Sequence, residues 1–167
     1  MMLETNIPTL PATAPRHSLR NGVVACVGVF SIIGILSYCS FQLGVLLALG
    51  SFGSSAVLLF TFPENHFSQP RSLVGGHFIC TLVALLVLSF AGHHWWALAI
   101  AVALATAIMM LTRTLHPPAG SNPIIVFLAM PDWQFLFFPT LFGAMMMVLV
   151  AWFYHRACRR SYPLYWI

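Results

Sequence analysis

The densest set of groups able to do chemistry is the run Arg113-Thr114-Leu115-His116-Pro117-Pro118-Ala119-Gly120-Ser121-Asn122-Pro123. Pro117 and Pro118 remove two amide donors and bar a helix through His116. Gly120 permits close backbone approach, and Ser121 or Asn122 can cap a helix that has Pro123 in its first turn. The free amides and positive dipole end of such a helix favour an anion. A capped turn that holds no ligand is the other reading of the same residues. A second stretch, Gly53-Ser54-Ser55-Ala56-Val57-Leu58-Leu59-Phe60, offers the same kind of helix start.

The basic and imidazole side chains have their own alternatives. Arg71 and Arg113 each sit at the end of an apolar run, where they form an electropositive vestibule or simply snorkel to headgroups. His77 follows Gly75-Gly76, which let another helix approach, and His116 lies in the proline break. A neutral imidazole can donate to an anion, and a protonated one can couple proton to anion movement. Packing and hydrogen bonding explain His77 equally well. His93 and His94 precede Trp95 and Trp96 in an interfacial belt, with too few further ligands nearby for a metal.

The elements that must hold these groups are set by composition. Of 167 residues, 60% are apolar and only seven are basic and three acidic, with no lysine. A soluble surface needs about 25–35% charged residues, so the solvent of this chain is the bilayer. A disordered chain, a nucleic-acid binder and a cytosolic enzyme are excluded. Cys26, Cys39, Cys80 and Cys158 form no CxxC pair and read as packed or lipid-facing thiols. The polar first twenty residues have no short apolar core before a cleavage site, so the first apolar run is expected to remain as an anchor.

Four runs are long enough to span: Gly22–Cys39, Leu73–Gly92, Trp95–Thr112 and Phe135–His155. Two more are broken: Leu43–Phe62 at residues 50–55 and Leu115–Met130 at residues 116–123, each leaving a helix of about ten residues, half a bilayer long. Irregular backbone at that depth survives only where protein buries it or water reaches it. Six crossings put all seven arginines on one face, which is then cytoplasmic. Four spans plus two re-entrant loops keep them together as well. An internal repeat favours six. Gly53-Ser54-Ser55-Ala56-Val57-Leu58-Leu59-Phe60 before Pro63-Glu64 matches Gly120-Ser121-Asn122-Pro123-Ile124-Ile125-Val126-Phe127 before Pro131-Asp132. Inverted halves with matching broken helices point to a transport site near the midplane, built from two converging helix starts.

Leu115-His116-Pro117-Pro118-Ala119-Gly120-Ser121-Asn122-Pro123 resembles the signature of the HPP family of integral membrane proteins. The resemblance extends to residues 53–60 and to Gln69-Pro70-Arg71-Ser72-Leu73-Val74-Gly75-Gly76-His77, and covers the chain from about Arg20 to Trp152. Members are usually described with four membrane helices, from which a six-crossing count departs. Some carry a soluble regulatory domain after the membrane part, where this sequence has only Arg156–Ile167. Chloroplast and cyanobacterial members are associated with nitrite transport, so the resemblance implies an anion substrate.

The expectation is therefore an all-α polytopic membrane domain of two inverted three-segment halves with broken helices. Residues 1–20 form a cytoplasmic N-terminal segment, 21–156 the transmembrane domain and 157–167 a short cytoplasmic tail. Its function is passage of a small inorganic anion, nitrite first, through the cell inner (plasma) membrane; a scaffold or sensing module is the alternative. Substrate-binding residues are Gly53, Ser54, Ser55, His116, Gly120, Ser121 and Asn122, with Arg71, His77 and Arg113 as vestibule or gate. No acid lies inside an apolar run, so carboxylate catalysis is absent, and Ser54 or Ser121 beside His116 is better explained by a helix start than by a nucleophile. No cofactor or metal is expected; the partners are the anion, the bilayer and, given the apolar surface, further copies of the chain.

Overall fold

A computed structural model of the protein describes residues 18–44 and 47–166. Arg16 and most of the N-terminal segment lie outside the described residues, as do Val45 and Leu46 in the first broken run. The described residues form six α-helices: α1 (Leu19–Gln42), α2 (Gly50–Thr61), α3 (Pro70–Ala91), α4 (Trp95–Leu111), α5 (Asn122–Ala129) and α6 (Phe142–Ala157). Local chemistry sets their ends. Ser18 caps α1 by accepting from the Asn21 amide at 3.2 Å. Pro70 opens α3, and Gly92 ends it at φ 76°, a left-handed value at which a Cβ is strained. The apolar helices α1 and α3 and the run Leu136–Ala157 are long enough to cross a membrane. The helices α2 and α4 are apolar but shorter, at 12 and 17 residues.

Two expectations about the breaks are corrected. Residues 50–55 do not interrupt a helix; they are its first turns, and the irregular backbone lies upstream at 47–49. The Ser54 and Ser55 hydroxyls donate back to the Ser51 carbonyl, at 3.0 and 2.9 Å, which absorbs their polarity within the helix. The last run, expected to be unbroken, is kinked before α6. Pro139 lacks an amide and biases its predecessor toward extended backbone, and Phe138 sits at φ −138°, ψ 119° inside a wide turn over Leu136–Leu141. The proline break at 116–121 is as expected. His116 is extended, and Pro117–Ser121 form a 3-10 turn that feeds α5.

Hydrogen bonds sort the helix ends. Arg160 donates to Asn21 at 2.7 Å, joining the tail to the start of α1. The Tyr162 hydroxyl donates to the Ser68 carbonyl at 3.0 Å, and the Leu164 amide to Gln69 Oε1 at 2.8 Å, joining the tail to the start of α3. Arg71 donates to the Thr112 carbonyl at 2.9 Å, which brings the end of α4 to the same place. At the opposite end the His93 ring lies 6.1 Å from that of Phe127, next to the end of α5. The helices thus alternate in direction. All six arginines of the described residues fall at one end, here the arginine end.

Packing centres on α3, which meets α4, α5 and α6. Ala97, Ala101, Ala105 and Met109, four residues apart, form the buried stripe of α4. Gly143 of α6 lets the Phe52 ring lie close against it, since a Cβ there would come within 2.4 Å of the ring. The outer faces carry Phe30, Phe90, Ile100, Leu111, Leu128 and Phe153, all exposed, as lipid-facing helices do.

Candidate functional site

Gly75 and Gly76 create the site. A Cβ on Gly75 would lie 2.8 Å from Thr114 Cγ2, and one on Gly76 would lie 2.7 Å from His116 Cβ and 3.1 Å from the Thr114 carbonyl. Only a bare α3 backbone admits the extended 114–116 segment so closely. The pair was expected to admit a helix; it admits this segment instead, because Pro117 and Pro118 keep the chain unwound there. The consequence is that His116 comes to lie beside His77, ring centres 5.1 Å apart.

Ser55 joins the two rings. Its Oγ lies 2.7 Å from His116 Nε2 and 2.9 Å from His77 Nε2. His116 Nδ1 donates to the Phe67 carbonyl at 2.7 Å. His77 Nδ1 faces Asn122 Oδ1 at 3.3 Å, and Asn122 Nδ2 donates to Thr81 Oγ1 at 2.8 Å and to the His77 carbonyl at 3.3 Å. Thr81 in turn donates to Thr140 at 3.4 Å. The result is a continuous polar chain from the turn before α3 to the middle of that helix, about 17 Å along its axis at 1.5 Å per residue. Ser55, His77 and His116 have no exposed surface. The Phe52 ring, edge-on to His77 at 5.0 Å, closes one side. Ser51, one turn before Ser55 on the same face of α2, is buried and its Oγ has no partner among the described residues.

Of the residues expected to bind, Ser55, His116 and Asn122 meet here, and His77 joins them as part of the cluster rather than as a remote gate. The others do not meet. Ser54 is exposed and bonds only its own helix, because one step along α2 turns it about 100° from Ser55. A Cβ on Gly53 or Gly120 would touch nothing within 4 Å, so neither glycine is required by a close approach. Ser121 donates to the Pro118 carbonyl at 2.9 Å and stays within its turn. Neither Ser121 nor Asn122 caps α5 with its side chain; Asn122 is drawn away to His77 and Thr81. The cluster therefore uses the second turn of α2 and the first residue of α5, not two converging helix starts. Arg71 and Arg113 lie together at the arginine end, where Arg71 neutralises a terminal carbonyl of α4. Thr81, Thr140 and Ser51 were missed. Nothing distinguishes them in sequence from the hydroxyl residues that membrane helices carry for packing.

The serine that meets His116 is Ser55, not Ser54 or Ser121, and it is shared between two imidazoles with no carboxylate beside either ring among the described residues. The donors suit an anion or a proton better than a metal: no group of three histidine, cysteine or acidic side chains comes together among the described residues. Apolar helices with Ser55, His77, Thr81, His116 and Asn122 gathered inside and apolar side chains outside define an α-helical membrane protein. More narrowly, the chain belongs to the HPP family, whose transmembrane region matches residues 14–163. It is similar to two transmembrane proteins of Dictyostelium discoideum, 38% and 36% identical over 127 residues. Each match covers 71% of this chain but 45% and 41% of the relatives, so the chain spans less than half the length of the curated relatives it matches. No solved structure matches it.

Proposed function

We propose that this protein moves a small inorganic anion across the membrane, nitrite being the ion to which the family resemblance points. The observation that carries the reading is the buried chain His116–Ser55–His77–Asn122–Thr81 inside an apolar bundle. Burying polar groups in a membrane interior is costly, so such groups mark a pathway more often than a packing device. The buried polar groups, with the unpartnered Ser51 hydroxyl beside them, replace the anion's water, while Arg71 and Arg113 attract it at the arginine end. By the positive-inside rule that end and both termini are cytoplasmic, in the plasma membrane. The two halves are read as inverted repeats, with α2 and α5 as the matching half-helices. Several copies associating through the apolar outer faces complete the proposal.

Uptake of nitrite into proteoliposomes, measured against protein-free vesicles, tests this directly. Saturable uptake supports it; uptake equal to the protein-free rate overturns it. A scaffold or sensing role is the second reading, favoured by the complete burial of Ser55, His77 and His116. It expects wild-type assembly and no uptake.

A further inference from the structure

The hydrogen count of the His116–Ser55–His77 cluster is one short. Phe67 offers a carbonyl, which only accepts, so His116 Nδ1 must carry a proton. At the other end, Asn122 must turn its NH2 toward the His77 carbonyl and Thr81, since the carbonyl cannot donate. That leaves Oδ1 against His77 Nδ1, which must carry a proton too. Two neutral rings protonated at Nδ1 then both present a bare Nε2 to Ser55, at 2.7 and 2.9 Å. One hydroxyl proton can serve only one of them, and the Ser51 carbonyl at 2.9 Å, already bonded within α2, competes for it as well. The other contact sets two lone pairs against each other inside a bundle where no water competes. A single added proton on either Nε2 completes both ring contacts, Ser55 accepting from one ring and donating to the other, and Ser55 can pass the donor role between the rings.

That proton makes the cluster a cation, and among the described residues its surroundings supply no counter-charge. From α2 it is faced by Ser51, Ser55 and Phe52, from the turn before α3 by the Phe67 carbonyl with exposed His66 behind it, and from α5 by Asn122. On α3 itself Cys80 points to Met109 of α4, and Arg71, exposed at the helix start, is held by Thr112. Arg113, also exposed, stands just before Thr114. On α6 His155 is turned to the Leu59 carbonyl, and Thr140 is reached only through Thr81. Glu64 and Asp132 are in loops. A buried cation without a paired anion is strongly disfavoured, and so is an anion without a cation.

The geometry points to a site that takes up an anion and a proton together, the proton lodging on the His77–Ser55–His116 bridge and the anion beside it. The unpartnered hydroxyl of Ser51 is the donor left over for the anion. The substrate class is then a monovalent anion moved with one proton, so that no net charge crosses. This rests on the anion reading above. The proton comes from water and binds a nitrogen lone pair, and no other bond changes.

Calorimetry separates the two claims. Nitrite is titrated into the purified full chain in lipid nanodiscs, at one pH, in two buffers of different ionisation enthalpy. The expected result is uptake of about one proton per nitrite, with apparent affinity falling up to about tenfold per pH unit as the cluster loses its proton. Nitrite binding without proton uptake overturns the coupling and leaves the anion reading intact. No binding of nitrite overturns both. Asn122→Asp places a resident carboxylate against His77 Nδ1, so it should bind nitrite at least tenfold more weakly and take up no proton with it. Ser55→Ala, which keeps both rings, should also lose the proton uptake. Wild-type proton uptake in a folded Ser55→Ala protein would overturn the proposal even if Asn122→Asp does not fold.

Discussion

At the residue scale, the difference between Ser54 and Ser55 is one step along a helix, yet one faces lipid and the other joins two imidazoles. The expected outcomes differ accordingly. Ser54→Ala leaves nitrite uptake in proteoliposomes within about twofold of wild type, since its hydroxyl bonds only the carbonyl three residues back and surface changes of this kind stay within about 0.5 kcal/mol. His116→Ala takes the buried imidazole donor from the Phe67 carbonyl, at a cost of about 1–3 kcal/mol. It should lower the thermal midpoint in nanodiscs and cut uptake at least tenfold. His116→Gln, whose amide can still donate to that carbonyl, should recover part of the stability but not the uptake. Equal uptake by His116→Ala and wild type would reduce His116 to packing.

At the element scale, the site depends on how closely the 114–116 segment lies on α3. Gly76→Ala puts a methyl group 2.7 Å from the base of His116, so either the segment moves or α3 does. Overpacking of this kind costs about 1–3 kcal/mol. Gly34→Ala in α1 meets nothing within 4 Å and should instead stabilise by about 0.5–1 kcal/mol, as alanine does in helix interiors. Thermal denaturation of the two variants in the same lipid should therefore move in opposite directions, with uptake lost only in Gly76→Ala. The tail acts on the same region, because Tyr162 and Leu164 hold Ser68 and Gln69, the two residues that follow Phe67. Burial pushes the Tyr162 phenol above the ordinary tyrosine value. A raised folded value means the docked tail is fully favoured below the unfolded value, near pH 10, and is lost only as pH climbs through the higher folded one. Tyr162→Phe should remove that high-pH step from an ultraviolet absorbance titration and destabilise by about 1 kcal/mol.

At the scale of the whole molecule, the alternation of helix direction makes a topological prediction. Single cysteines at Glu64, Arg113 and Ser161, on a cysteine-free background, should label from one side of the membrane, and cysteines at Gly44, His93 and Asp132 from the other. Asp132 on the same side as Arg113 would replace the six-segment alternation with a re-entrant α5. The hydrogen bonds that join Arg160 to Asn21, Tyr162 to Ser68 and Arg71 to Thr112 are what place the first group together.

Much of this architecture is local in origin and so was legible in the residues alone. Apolar runs of about twenty residues are helices because lipid satisfies no backbone group, and Pro117-Pro118 must break one because proline has no amide to give. The half-length of α5 follows from the same reasoning, as does the gathering of arginines at one end. Pro139 obeys the same rule and its kink could have been read, but the long apolar run around it masked the signal. The site was not local. Ser55 is 22 residues from His77 and 61 from His116, and Asn122 is 45 from His77. In a soluble helix the polar face marks which residues look inward. Here both faces are apolar, because lipid on one side is as apolar as protein on the other. Sequence therefore determined the solvent, the apolar helices, the proline break and the signature histidine. Only tertiary packing, through the bare backbone at Gly75 and Gly76, decided that Ser55 rather than Ser54, and His77 rather than a helix start, would meet it.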